Sequence, residues 1–109
     1  MTLQERLRDL TEPCREADAE IAEAITGGAC IWSRPICGYR FADGGAEVPH
    51  YTSSLDATVE LVEREIGWDW DIERYEDDTT VTLDGIHQRH HAIPAVAMLL
   101  ALLDAMGIK

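Results

Sequence analysis

The chain has 109 residues, of which 46% are hydrophobic, and its 9 basic and 21 acidic side chains give a formal net charge of −12. This length is typical of one domain, and the apolar fraction is enough for one modest core, so we expect a single globular domain over residues 1–109. The negative charge disfavours direct binding to nucleic acid or to anionic lipid, because both require a broad basic surface.

The N-terminus and the cysteines predict a cytoplasmic protein. The opening segment, MTLQERLRDL, places charged side chains where a signal peptide requires a continuous apolar stretch. The longest apolar run, residues 92–103, is too short for a membrane span of about 20 residues. Three cysteines without a CxxC pair (Cys14, Cys30 and Cys37) fit reduced thiols better than a disulfide framework.

Two helices are predicted in the N-terminal part, residues 3–25. A capping box formed by Thr2 and Glu5, with leucines at helical spacing, predicts the first helix over residues 3–10. A second helix is expected after Pro13, ended by the glycines at 27 and 28. Its cap is expected to be Thr11 or Glu12, and its inward residues are expected to be Cys14, Ala17, Ile21, Ala24 and Ile25.

The middle of the chain is predicted to contain irregular strands and a third helix. Residues 29–41 mix aromatic and apolar side chains with proline and glycine, which predicts short irregular strands or a partly ordered loop. Residues 43–45 predict a turn, and Ser53 or Ser54 is expected to cap the helix that stops at Gly67. Its buried stripe is expected to be Leu55, Val59, Val62 and Ile66.

Alternating hydropathy begins at Trp68 and predicts a half-buried strand that ends at Tyr75. A turn at residues 76–78 and a second alternating run at residues 79–83 predict an antiparallel hairpin. The last helix is expected to begin near Pro94, to be apolar on all sides and to end at Gly107. About four helices packed on a small antiparallel sheet of two to four short strands make an α+β domain.

The run VPHYTSSLDATVELVEREIGWDWDIERY, followed after the hairpin by HAIPAVAMLLALLDAM, resembles the bacteriophage α-β-α sandwich domain family. The matching residues are Pro49, Tyr51, Thr52, Ser54, Leu55, Asp56, Ala57, Ala92, Pro94 and Ala95. The N-terminal segments LQERLRDL and EADAEIAEAI are also similar to small phage and prophage proteins that carry this domain. The resemblance implies a three-layer sandwich, with its motif region at residues 48–107, and a protein encoded by a phage or prophage. It implies no catalytic residue.

Catalytic and metal-binding motifs are weak in this sequence. The histidines of HQRHH are expected in a polar loop, and with Cys30, Cys37 and His50 they offer metal ligands without the paired spacing of structural zinc sites. The sequence contains neither a Walker A loop nor GxGxxG. We therefore predict a non-enzymatic protein with no metal and no cofactor, and a metal-dependent enzyme is the minority alternative.

Acidic residues are concentrated in residues 60–78, which contain nine acids and two arginines. On an alternating strand, outward carboxylates are spaced by about 7 Å, which is close to the spacing of DNA phosphates. A face of this kind can occupy the basic groove of a nucleic-acid-binding protein, whereas the alternative is a solvated surface that keeps the protein soluble. The predicted acidic binding face comprises Asp69, Asp71, Glu73, Glu76, Asp77 and Asp78.

Aromatic and arginine residues suggest a second kind of site. Together they are able to stack a base and hold a phosphate, although most of the aromatics are expected in the core. The predicted ligand pocket comprises Trp32, Tyr39, Arg40, Tyr51, Trp70 and Arg74.

These observations predict an accessory binding protein of a phage or prophage, acting in the host cytoplasm as an acidic inhibitor of a host protein. The expected partner is a nucleic-acid-binding or defence component, with no direct contact to nucleic acid or membrane. The alternative is a protein that sequesters a nucleotide or small ligand and so counters host defence signalling. The apolar last helix leaves a homodimer open.

Overall fold

The computed structural model describes residues 2–67 and 69–108, and it confirms the α+β class. The described residues form α1 (Leu3–Arg8), α2 (Arg15–Thr26), β1 (Cys30–Ser33), β2 (Gly38–Phe41), α3 (Leu55–Glu65), β3 (Trp70–Tyr75), β4 (Asp78–Leu83), β5 (His87–His91) and α4 (Pro94–Met106). No helix in this part of the chain is long and apolar enough to span a membrane.

The strands form two antiparallel sheets rather than the single sheet expected. One is the β1–β2 hairpin, and the other has the order β3-β4-β5 with β4 in the centre. In the larger sheet Ile72 is paired with Val81, and Val81 with Arg89. Of the two alternatives for residues 29–41, the short strands are confirmed, because β1 and β2 pair as a hairpin. The histidine segment HQRHH is an edge strand rather than the expected loop.

Helix α4 lies at the centre of the core, as its apolar sequence predicted. Residues 95–103 are all buried, and α4 packs against β4 and β5 as well as α1 and α3. Pro94 is at its first turn, where a missing N–H costs nothing, and Gly107 ends it at a φ of 74°. Each fully buried leucine of this helix contributes about 1.5–3 kcal/mol relative to exposure.

Within residues 2–67 and 69–108, helices cover only one face of the three-stranded sheet. Residues 79, 81 and 83 of β4 are buried, whereas the alternate positions of β3 and β5 on the other face are exposed. A three-layer α-β-α arrangement is therefore not confirmed for the described residues.

Helix termini show where local sequence rules succeed and fail. Thr2 caps α1 by accepting a hydrogen bond from Glu5 N, as predicted, although α1 ends at Arg8. The prediction of Thr11 or Glu12 as the cap of α2 is wrong, because Cys14 holds that position. The prediction that Ala24 of α2 faces inward is also wrong, because Ala24 is exposed.

The start of α2 is joined to residues 48–54 by a buried polar cluster, which we call the junction. Asp18 is 1% exposed, accepts a hydrogen bond from Thr52 N at 2.7 Å and pairs with Arg15 at 2.7 Å. The Thr52 hydroxyl accepts from Cys14 N at 2.9 Å, which fixes the first turn of α2. Arg15 also donates to the carbonyls of Val48 and Pro49.

Helix α3 is capped by Ser54, which accepts from Ala57 N at 3.2 Å. Its buried side chains are Thr58, Leu61 and Val62, so of the predicted stripe only Val62 is fully buried. The other three residues of the stripe are partly buried and pack against the core. The Thr58 hydroxyl donates to the carbonyl of Tyr51 at 2.8 Å inside the core.

The β3–β4 hairpin follows the predicted alternation. Trp70 and Ile72 are half-buried and Asp71 is exposed, while Trp68 lies outside the described residues. The predicted turn at residues 76–78 is one residue too long, because Asp78 is paired with Tyr75. The turn therefore contains two residues, and Glu76 has a φ of 53°.

Candidate functional site

Strand geometry sorts the side chains of the larger sheet onto two faces. The inner face packs on α4, and the opposite face, which we call the open face, carries the alternate residues. Cross-strand pairs bring the open-face side chains together in three rows. The rows are Asp71–Thr82–Gln88, Glu73–Thr80–His90 and Tyr75–Asp78.

The open face is acidic because its outward positions include three carboxylates and no lysine or arginine. Asp71 and Glu73 are exposed neighbours on β3, separated by about 7 Å along the strand. Asp78 adds a third carboxylate from β4. The arginines of this sheet, Arg74 and Arg89, occupy positions of the inner-face register.

His90 and Tyr75 complete the open face. His90 Nδ1 lies 3.1 Å from an Asp78 oxygen, with both side chains largely in solvent. Tyr75 is 78% exposed at the end of β3, on the same side as Asp71 and Glu73. An exposed aromatic ring among polar side chains is typical of a surface that binds another protein.

The other predicted acids lie at the two ends of the hairpin. Glu76 and Asp77 are exposed in the turn, next to Tyr75. Asp69 is exposed before β3, and its carbonyl accepts a hydrogen bond from Asp84 N at 2.9 Å. The structure thus places all six predicted acids along one hairpin and three of them on its open face.

On the inner side of the sheet, the carboxylate of Asp104 on α4 is paired with two groups of β5. The carboxylate of Asp104 lies 3.0 Å from His87 Nδ1 and accepts a hydrogen bond from Arg89 at 2.8 Å. Sequence analysis missed this group. The sequence did offer a signal for it, because Asp104 directly follows the apolar run and is the only charged residue of α4, where a carboxylate is expected to have partners.

The six residues of the predicted ligand pocket are distributed over three parts of the molecule. Trp32 and Tyr39 form an edge-to-face pair with ring centroids 5.3 Å apart on the β1–β2 hairpin, which also carries Arg40. Trp70 and Arg74 are on β3, where Trp70 Nε1 donates to Glu63 of α3 at 3.2 Å. Tyr51 lies beside α3.

The side chain of Tyr51 is 4% exposed and is part of the hydrophobic core. Burial raises the pKa of its phenol, and the neighbouring guanidinium of Arg64 opposes that increase. Its hydroxyl therefore stays protonated at neutral pH. The described cavities do not bring Tyr51 together with the other five residues of the set.

The candidate metal ligands are also separated. His87 and His91 belong to the inner-face register of β5, whereas His90 is on the open face. Cys30 is on the first hairpin, where burial and the nearby Glu23 carboxylate raise the pKa of its thiol. Within residues 2–67 and 69–108, no group of three or more His, Cys, Asp or Glu side chains is arranged to hold a metal ion.

Comparison with known proteins gives no relative on which to rest an assignment. No protein-family model matches the chain, and no curated protein or solved structure is significantly similar to it. The resemblance to the bacteriophage sandwich domain therefore stays a prediction.

Proposed function

We propose that this chain is a phage- or prophage-encoded binding protein that inhibits a host nucleic-acid-binding protein in the host cytoplasm. The open face carries this proposal, because it is uncovered and presents three carboxylates without a compensating lysine or arginine. The inhibitor acts by occupying a basic groove and not by catalysis.

Electrostatics supports a basic partner. The carboxylates of Asp71 and Glu73 are spaced by about 7 Å, close to the phosphate spacing of one DNA strand. The formal charge of −12 on the whole chain adds a long-range field that steers the protein toward a basic surface. Association is therefore expected to be fast at low salt and to weaken as salt increases.

The open face also has an ordered backbone and an exposed aromatic ring. Its strands are paired and the other face of the sheet is packed on α4, so little backbone conformational entropy is lost on binding. Tyr75 supplies an aromatic ring within the acidic surface, and buried tyrosines are frequent hot spots of protein interfaces.

The test uses a defined panel of purified bacterial nucleic-acid-binding proteins, including nucleases of defence systems. Each is titrated onto the immobilised protein at low and at physiological salt, and bound members are challenged with double-stranded DNA. We expect at least one panel member to bind with strong salt dependence and to be displaced by DNA, because both ligands use the same basic groove.

The proposal is contradicted if no panel member binds at low salt. It is equally contradicted if the bound member cleaves or binds DNA unchanged in the complex, since its groove is then free.

The alternative, a protein that sequesters a nucleotide through the predicted aromatic pocket, receives no support from residue placement. Trp32, Tyr51 and Trp70 lie on different elements and face different surroundings. These three aromatic residues therefore do not form one small-ligand pocket.

A further inference from the structure

A cleft lies between α1, β5 and α4, at the edge of the sheet. Its main cavity has a volume of about 400 Å³, and an adjoining cavity of about 270 Å³ shares three of its residues. The main cavity is lined by Gln4, Arg8, Gln88, Arg89, His90 and Leu100.

The lining of the main cavity differs from the rest of the surface. It contains two guanidinium groups, two amides and one imidazole, and none of the six lining residues is a carboxylate. Leu100, which is 3% exposed, provides an apolar floor. The adjoining cavity is lined in part by the carboxylates of Glu5 and Asp104, so the carboxylate-free lining is confined to the main cavity. Two guanidiniums without a carboxylate favour an anion there.

Arg89 is held in position at this cleft. One of its N–H groups donates to Asp104 at 2.8 Å and another donates to the carbonyl of Gln88 at 3.0 Å. A guanidinium has five N–H donors, so three remain available after these two contacts. The donors that face the cleft are thus oriented before any ligand arrives.

Arg8 supplies the second guanidinium from α1. It is exposed, and among residues 2–67 and 69–108 it makes no ion pair or side-chain hydrogen bond. Gln4 on the same helix donates to the carbonyl of Ile108 at 2.7 Å, which fixes its amide at the cleft wall. A phosphate group accepts hydrogen bonds from two such guanidiniums in a bidentate geometry.

We propose that this cleft binds the phosphate monoester of a small organic molecule. The phosphate lies between Arg8 and Arg89, and the organic part lies over Leu100 within reach of the amides of Gln4 and Gln88. The cavity volume of about 400 Å³ is within the range of pockets that hold small organic ligands. Gln88 and His90 are shared with the open face, but none of its three carboxylates lines the two cavities, so the site is separate from the groups that carry the proposed inhibition.

The experiment titrates the full chain with adenosine 5′-monophosphate and with glycerol 3-phosphate by calorimetry. Adenosine and inorganic phosphate are the reference ligands. We expect saturable binding of at least one ester, weaker binding of inorganic phosphate and no binding of adenosine. The ester is also expected to shift the side-chain amide signals of Gln4 and Gln88 in NMR spectra.

Variants locate the site. Arg8→Gln is expected to weaken ester binding by about 10-fold or more, the loss typical of a charge-assisted hydrogen bond. Because Arg8 is exposed and makes no side-chain hydrogen bond or ion pair with the described residues, this variant is expected to keep the fold. The matched control is Arg34→Gln, which replaces an exposed arginine of the first hairpin. It is expected to leave the affinity for the ester unchanged.

The proposal is overturned if neither ester binds, if inorganic phosphate binds as tightly as the esters, or if Arg8→Gln binds as well as the unchanged protein. An Asp71→Asn, Glu73→Gln double variant is expected to keep ester binding but to bind the protein partner more weakly. A failure of the ester proposal can therefore be distinguished from a failure of the proposed inhibition.

Discussion

Carboxylates have opposite surroundings at the junction and on the open face. At the junction, Asp18 is buried and its two oxygens are matched by Thr52 N and by Arg15. On the open face, Asp71 and Glu73 are in solvent, with no basic side chain at a neighbouring outward position. The comparison indicates that burial with partners assigns a carboxylate to folding, whereas exposure without partners leaves it available for recognition.

The largest effect is expected at the junction. Asp18→Ala leaves the N–H of Thr52 unpaired and the charge of Arg15 uncompensated, so it lowers the free energy of unfolding by about 2–4 kcal/mol. Urea denaturation measures the loss. Glu16→Ala is the control, because Glu16 is an exposed acid in the same helical turn. It is expected to change the free energy of unfolding by less than about 0.5 kcal/mol. Equal losses for both variants contradict this role of Asp18.

A smaller loss of stability is expected when a substitution at the junction keeps the shape of the side chain but removes its hydroxyl. Thr52→Val removes the group that accepts from Cys14 N at 2.9 Å, and the loss is about 1–3 kcal/mol. Thr82→Val, on the open face, is the control and is expected to be nearly neutral. Comparable denaturation midpoints for the two variants argue against the junction as the anchor of α2.

Asp104 is an intermediate case, because its side chain is 31% exposed and has two partners. Asp104→Asn is expected to lower stability by about 1 kcal/mol, since solvent screens a half-exposed pair. Thermal unfolding measures the change, with the exposed Asp84→Asn as control. A loss as large as that of Asp18→Ala contradicts the ranking by burial.

The smallest effect on stability is expected on the open face. Neutralising Asp71→Asn, Glu73→Gln and Asp78→Asn together removes like charges from one surface, so stability is unchanged or rises by a few tenths of a kcal/mol. The contact between Asp78 and His90 is exposed and offsets little of this gain. A clear drop in the unfolding midpoint shows instead that these carboxylates serve the fold.

Sequence analysis succeeded where the determining interactions are local. The Thr2 and Ser54 caps each use a backbone N–H three residues away, and α4 is specified by its own apolar composition. The cap of α2 was missed because Thr52, which holds Cys14, is 38 residues distant in the chain. A partner this far away in the sequence is brought close by the fold, so a local sequence pattern does not predict it.

Strand β5 was missed for a different reason. Its sequence, HQRHH, is polar because it is an edge strand whose inner-face residues His87 and Arg89 pair with Asp104 instead of packing as hydrocarbons. The acids of β3 were placed correctly by their alternation. The structure was needed to show that no helix among the described residues covers the open face, because the family resemblance implied a layer on each side.

The central claim is that the open face itself contacts the partner. The most direct measurement is the dissociation constant of the tightest panel member for the unchanged protein, the Asp71→Asn, Glu73→Gln, Asp78→Asn variant and a control. The control is Asp9→Asn, Glu12→Gln, Asp43→Asn, which changes net charge equally at exposed acids elsewhere. We predict that the open-face variant binds about 100-fold more weakly and the control within about threefold. Equal weakening of both variants contradicts the account, because net charge and not the open face then determines binding.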